Sequence, residues 1–283
     1  MSGYRFCRTD DIPLLVEAHN ACYVDHFDDV PALTVEGYKT LVREIDLWAS
    51  SCMLATVDDE VVGVLFATKR DDRALIHSIG VQRAHRRQGH GRHLLDSLSQ
   101  KLAILGPPEM VAEIPGEWTG VRAFFERCGY TPGPTYTDFV LEKPSAAPRG
   151  GPVVPVGVDD LHESGVLEGT AGRAWERTLK TLLNRRETLE GYAVASDVRI
   201  EAYLLARQGA AGHGREIVAL GAAEGEEPRA LLRILVHHFC GRESSPVTIP
   251  KVSPAEIDFG ELERGGFRKT RDWVAYTRRA TPA

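Results

Sequence analysis

The stretch VQRAHRRQGHGRHLL, Val81–Leu95, decides how the rest of this sequence is read. Between Arg83 and His93 it carries four arginines, three histidines, two glycines and no acid, in a chain whose formal net charge is −6. It follows the β-rich run RALIHSIGV (73–81) and precedes RHLLDSLSQKLAIL (92–105), whose leucines at 94, 95, 98, 102 and 105 fall on one helical face. The first N–H groups of a helix lack intrahelical partners, and the helix dipole adds positive charge there. Gly89 and Gly91 permit close backbone approach, and Arg86, Arg87 and Arg92 add formal charge, so the turn suits a phosphate or pyrophosphate. The dinucleotide fingerprint fails because Leu94 stands where its third glycine belongs, and no Gly-Lys-Ser/Thr completes a P-loop.

Working outward, the first half alternates strands and helices. GYRFCRT is a strand; a helix runs from Asp11 to Tyr23 with Asp10 or Asp11 as its cap; TVEGYKTLVREIDL is a second helix capped by Thr34. CMLATV and VVGVLFATKR form a hairpin across DDE. After the cationic turn and its helix come the strand EMVAEI, the helix GVRAFFERCG closed by Gly129, and the strand TDFVLEK. KPSAAPRGGPVVP then interrupts all periodicity, which places a linker there and a domain boundary near Ala147. The expected domains are 1–146 and 147–283.

The second part repeats the first in weakened form. ERCGY at 126–130 returns as ERGGF at 263–267, an offset of 137 under which Phe139 meets Tyr276, RHLLDSL meets RALLRIL and Val81 meets Val218. GVLFA at 63–67 resembles AYLLA at 202–206, displaced by 139. These matches indicate an internal duplication. Under the offset of 137, Arg86, Gly89 and Gly91 become Ala223, Glu226 and Pro228, so the cationic turn is erased in the second copy. GTAGRAWERTLKTLLNR (169–185) reads as an amphipathic helix whose leucines face a core.

Bulk properties narrow the class. At 283 residues and 43% hydrophobic, the chain can build two cores. It has no apolar run of about 18 residues and no signal-peptide core at MSGYRFCRTDD, so a soluble, cytoplasmic protein without membrane contact is expected. The five scattered cysteines form no CxxC pair and read as reduced core thiols. The excess of acid, 21 acidic against 16 basic side chains in residues 1–150, speaks against a nucleic-acid partner. His85, His90 and His93 lack metal-site spacing, so no metal is expected.

Arg86-x-x-Gly89-x-Gly91, set between a strand and a helix, resembles the acetyl-coenzyme A segment of the GNAT N-acyltransferase superfamily, and AFFERCGY resembles a later motif of that family. The resemblance covers about Gly3 to Lys143 and is only architectural from about 155 to 279. It implies a mixed α+β fold of two tandem GNAT-like domains, the second degenerate, each with a mostly antiparallel splayed sheet flanked by helices. It also implies that backbone amides from Arg87 through Gln88, Gly89, His90 and Gly91 to Arg92 cradle the pyrophosphate. Ile79, Gly80 and Val81 would pair with pantetheine, an N–H near Val81 would serve the oxyanion, and Phe124 and Phe125 would lie against the thiol end. Acetyl-CoA would be the co-substrate.

Acyl transfer to an amine needs a base, and Glu113 and His77 stand on strands beside the expected slot. His77 shares a strand face with Val81 by period 2. Many family members carry a tyrosine as acid where this chain has Phe125, which leaves Tyr130, Tyr136 or water for that role. Asp25, Asp28 and Asp29, with Glu113 and Glu117, would draw a cationic amine. The expected activity is therefore N-acetylation of a small cationic amine, with the second domain walling the acceptor cleft or holding a homodimer. The alternatives are a non-catalytic acyl-CoA sensor and a protein N-acyltransferase.

Overall fold

Alternating apolar strands and amphipathic helices fold here into the same run of elements twice. The computed structural model describes residues 1–24, 31–144, 153–168, 172–209, 214–223 and 228–282. The first run is β1 (Ser2–Phe6), α1 (Ile12–Cys22), α2 (Val35–Ile45), β2 (Met53–Val57), β3 (Glu60–Lys69), β4 (Arg73–Val81), α3 (His90–Leu105), β5 (Glu109–Pro115), α4 (Thr119–Arg127) and β6 (Thr131–Leu141). The second is β7 (Val153–Val156), α5 (Val158–Glu163), α6 (Leu179–Asn184), β8 (Glu190–Ala195), β9 (Ile200–Gln208), β10 (Arg215–Ala222), α7 (Pro228–Cys240), β11 (Val247–Val252), α8 (Phe259–Arg264) and β12 (Arg268–Arg279). The fold is mixed α+β, with mostly antiparallel sheet flanked by helices.

Contacts divide the chain into two units. One comprises Met1–Ile114, Trp118–Gly133 and Ala275–Ala283; the other comprises Pro115–Glu117 and Pro134–Val274. β6 therefore starts in the first unit and finishes in the second, while β12 starts in the second and finishes in the first. Within the first unit the end of β12 is pinned to α3 and α4: Tyr276 donates to Glu126 at 2.8 Å, and Arg278 donates to Asp96 at 2.8 Å and to the Cys128 carbonyl at 2.9 Å. Within the second unit, Phe139 of β6 is buried in a core with Phe239, Ile249 and Leu262. Residues 145–152 of the expected linker lie outside the described residues, and its last three, 153–155, fall in β7. β7 is the last strand in its sheet order, where Pro155 is tolerated.

In the first unit the strands run β1-β2-β3-β4-β5, antiparallel except for β4–β5. The DDE turn is tight because Asp58 and Asp59 both adopt positive φ, 47° and 68°, as a two-residue hairpin of native twist requires. β4 carries two irregularities. Phe66 lies opposite Ser78 and Ala67 opposite Ile76, so His77 is an extra, bulged residue. The parallel β4–β5 pairing runs only from Arg73↔Glu109 to Leu75↔Val111, after which the strands part.

The second unit keeps both irregularities. Its ladder skips Val218, between Ile217↔Ala206 and Ala219↔Leu205, and β10–β11 pairing stops after Glu216↔Thr248. Val218 is thus the counterpart of His77, not of Val81 as a uniform offset suggested; the register moves because the turn at Gln82–Gly89 is shorter in the second copy.

Capping was partly legible. Thr34 accepts from the Gly37 N–H at 3.0 Å, but Asp11 makes no cap bond to α1. Its carboxylate instead takes the Arg5 guanidinium and the Arg8 N–H, each at 2.8 Å. Of the helix expected over 169–185, residues 169–171 lie outside the described residues; the rest forms a 3₁₀ turn, Trp175–Arg177, where Arg177 turns inward at 1% exposure, followed by the short α6.

Candidate functional site

A cleft of about 570 Å³ in the first unit lies against the end of β4, beyond the point where that strand leaves β5. β4 supplies Ile79, Gly80 and Val81, the following turn supplies His85, Arg86, Arg87 and Gly89, and α3 supplies His90, Gly91 and Arg92. α4 adds Gly120, Val121, Phe124 and Arg127, and the end of α1 adds Cys22 and Tyr23. The cleft thus has an apolar part and a cationic part. Among the described residues its lining holds four arginines and no acid, and none of the four makes an ion pair.

Local geometry explains the glycines. Gly89, at φ 92°, is the left-handed residue before α3, and Arg87 at φ 64° turns the chain just ahead of it. The chain thereby reverses into α3 with the helix's first amides at the cleft. Arg86 donates to the Val81 carbonyl at 3.2 Å and Arg92 to the Arg127 carbonyl at 2.7 Å, which fixes two guanidiniums at the rim. A Cβ on Gly91 would meet the Phe124 ring at 3.1 Å, so the ring closes directly over the helix start. A Cβ on Gly80 would stand 2.1 Å from the Cys22 carbonyl oxygen, so the end of α1 packs on bare β4 backbone.

His90 is 4% exposed; its Nδ1 pairs with the Tyr4 hydroxyl at 2.7 Å, and its Nε2 is buried without a hydrogen-bond partner. Next to it, His93 stacks on Tyr4 with ring centroids 3.7 Å apart. Gln88 is exposed, donates to the Ala84 carbonyl at 3.3 Å and does not line the cleft. Phe125 is also absent from the lining: it is 2% exposed and packs edge-on to Tyr130 at 5.0 Å. Of the Phe124–Phe125 pair, the structure brings only Phe124 to the cleft.

The expected bases and acids stand apart from that lining. His77 is half-buried at the β4 bulge, and Glu113 is half-buried on β5 beyond the point where the strands separate. Tyr130 is buried with its hydroxyl directed at the Met110 sulfur at 3.8 Å, and burial raises its pKa. Tyr136 is buried in the second unit, and Glu117 pairs with Arg271 at 2.8 Å. Asp25, Asp28 and Asp29 lie outside the described residues.

Two features were not foreseen. The first is the end of α1 as a cleft wall; a glycine inside a strand signals close backbone approach, and Gly80 was that signal. The second is His19 of α1, stacked on Phe66 at 4.8 Å and beside Tyr23 at 4.9 Å. Burial, then the nearby His77, push its pKa down to about 4, so it is neutral at neutral pH.

Residues 13–130 match the acetyltransferase (GNAT) family. A GCN5-related N-acetyltransferase from Sphaerobacter thermophilus superposes with a TM-score of 0.71 at 17% identity, covering 100% of this chain and 96% of that one. A tandem GNAT protein from the clavulanic acid biosynthesis pathway superposes at 0.66 and 16% identity, covering 100% of both chains. A GCN5-related N-acetyltransferase from Anabaena variabilis gives 0.67 at 15%, covering 99% of this chain and 73% of that one. Residues 13–130 therefore carry a domain of the GNAT acetyltransferase family. Over its whole length the chain shares the fold of these structures, one of them a tandem GNAT protein.

In the second GNAT-like unit the equivalent parting of strands is filled. Arg177 is 1% exposed and donates through Nη1 to the Ile217 carbonyl of β10 and the Pro250 carbonyl of β11, both at 3.1 Å. Its Nε and Nη2 bond to Glu256 at 2.9–3.0 Å, a carboxylate equally buried. Where the first unit opens a cleft, the second stitches its two strands together through a side chain.

Proposed function

We propose that the protein is an N-acetyltransferase that moves an acetyl group from acetyl-CoA to the amine of a small cationic molecule. The observation that carries this is the cleft where the edge of β4, the start of α3 and four arginines meet, with no acid among the described residues of its lining. A cationic part beside an apolar part suits a ligand with a polyanionic head and a weakly polar tail. Amides of the turn before α3 and of its first residues, from Arg87 to Arg92, hold the pyrophosphate, and the arginines neutralise it. The edge of β4 at Ile79–Val81 receives pantetheine, and a backbone amide there meets the oxyanion. Phe124 packs on the tail. The thioester supplies an electrophilic acyl carbon when bound.

For the amine, the candidates for proton removal are His77 and Glu113, one on each of the two diverging strands; neither lines the cleft, so each acts through water. Departure of the thiolate needs no tyrosine, since a thiol pKa of about 8.5 makes it a tolerable leaving group unassisted. The acidic residues of the first half, Asp25, Asp28, Asp29 and Glu113, favour a cationic acceptor. No nucleic acid or membrane enters this scheme.

The test is acetyl-CoA turnover over a panel of amines, run beside calorimetry of coenzyme A binding, for the wild type and for Gly89→Glu. Turnover with a subset of amines, and coenzyme A binding lost in Gly89→Glu, is the expected result. Coenzyme A binding untouched by that substitution overturns the assignment of the cleft. Binding without turnover on any amine replaces catalysis with acyl-CoA sensing, a reading favoured by Phe125 at the tyrosine position.

A further inference from the structure

The two copies differ at a second place, between the third and fourth helices of each. In the first unit Arg278 fills the space beside Gly129: its Cδ lies 3.9 Å from where a Gly129 Cβ would be, and Nη1 bonds to Asp96 of α3 and to the Cys128 carbonyl. In the second unit the matching glycine is Gly266, and the side chain beside it is Leu141, 3.3 Å from the corresponding Cβ position. The residue matching Asp96 is Arg233. An ion-paired arginine has been exchanged for a leucine, and its partner acid for a base. The space left behind is a cavity of about 240 Å³.

The floor of this cavity is apolar: Leu141, Val236, Cys240, Ile257, Leu262 and Phe267. All but Leu141 are buried, at 1–9% exposure. Its rim is cationic. Arg233 and His237 are four residues apart on α7 and so share a face, and Lys143, just after β6, also lines the cavity. The rim's single acid, Glu261, is engaged by Arg264 at 2.7 Å. Neither Arg233 nor Lys143 makes an ion pair among the described residues.

We propose that this cavity is a binding site for a small amphipathic carboxylate, an aryl-alkanoate or medium-chain acid, with its apolar body on the floor and its carboxylate at Arg233 and Lys143. The volume equals roughly eight waters' worth of liquid, room for one ring with a short tail. An inorganic anion fits poorly, because the buried part offers it nothing polar, and an amine is repelled at the mouth. The site is separate from the acyl-CoA cleft and does not depend on its assignment.

Calorimetry on the full chain with 3-phenylpropionate, its alcohol 3-phenylpropanol and 3-phenylpropylamine tests this. A ligand of this size binds with a Kd on the order of 1 mM at good efficiency. The expected order is carboxylate tightest, alcohol weaker and amine undetectable. Arg233→Gln should weaken the carboxylate roughly two- to five-fold while leaving the alcohol unchanged. Leu141→Arg combined with Arg233→Asp transplants the first unit's ion pair and should abolish binding; Val236→Phe, which fills the same volume without new charge, should do so independently. Absence of saturable 3-phenylpropionate binding overturns the proposal. So does binding that survives both cavity-filling variants, which would locate the ligand elsewhere, or an amine that binds as well as the acid.

Discussion

Gly80→Ala is the most demanding single test of how the cleft is built. The added methyl would stand 2.1 Å from the Cys22 carbonyl oxygen, 2.6 Å from its carbon and 2.9 Å from the Tyr23 nitrogen. Each is a backbone atom, so no rotamer change relieves the contact; the end of α1 must move off β4 by about 1 Å to restore van der Waals separation. Overpacking of this kind costs about 1–3 kcal/mol, and a clash between two backbones belongs at the upper end. At roughly 2–4 °C per kcal/mol for a unit of this size, the thermal midpoint should fall by about 6–12 °C. Two neighbouring glycines calibrate the result. Gly91→Ala meets only the rotatable Phe124 ring at 3.1 Å and gains helix propensity, so it should be neutral or slightly stabilising. Gly89→Ala has open space but must hold φ 92°, which costs about 1 kcal/mol. Differential scanning calorimetry of the three variants reads the order directly. If Gly80→Ala melts within about 2 °C of the wild type, or if Gly91→Ala loses as much, the packing argument is wrong.

Two further outcomes concern buried charge. His19 has a folded pKa of about 4 against about 6.5 unfolded, so between those values the unfolded state binds more protons and stability falls as pH is lowered, by up to about 3 kcal/mol in all. In urea titrations, His19→Leu should flatten the dependence between pH 4 and pH 6.5; an unchanged slope would assign it to other groups. Arg177→Ala leaves the Glu256 carboxylate, 1% exposed, with only the longer Arg173 ion pair at 3.7 Å among the described residues and should destabilise the second unit by about 3 kcal/mol. Equal stability of the single variant and the wild type in a urea melt would mean that the pair does not hold β10 to β11.

The sequence was most legible where local chemistry and periodicity agree. The strand, cationic turn and leucine-faced helix around Val81–Leu95 emerged as β4, a left-handed turn at Gly89 and α3, because two glycines and a helical leucine spacing leave few alternatives. The duplication was visible because core positions recur. What stayed hidden depends on long-range packing. The bulge at His77 has no residue signature, so the uniform offset misaligned Val81 with Val218. The inward turn of Arg177 is decided by Glu256, 79 positions away, and breaks what the leucines alone predict as a helix. Phe124 and Phe125 are chemically alike in sequence, and only the tilt of α4 sends one to the cleft and the other to the core.

The crossing of β6 and β12 also bears on how the chain is made. Ala275–Arg279 complete the first unit, so that unit cannot close its sheet when Gly133 leaves the ribosome. It must wait for roughly 140 more residues, about 7–28 s of synthesis at ordinary rates. During that time its last strand position is an open edge, the surface most prone to pair with a neighbouring chain. Nascent copies on one message are therefore candidates to exchange this strand with each other, and a chaperone that shields the edge would act on the first half rather than the second.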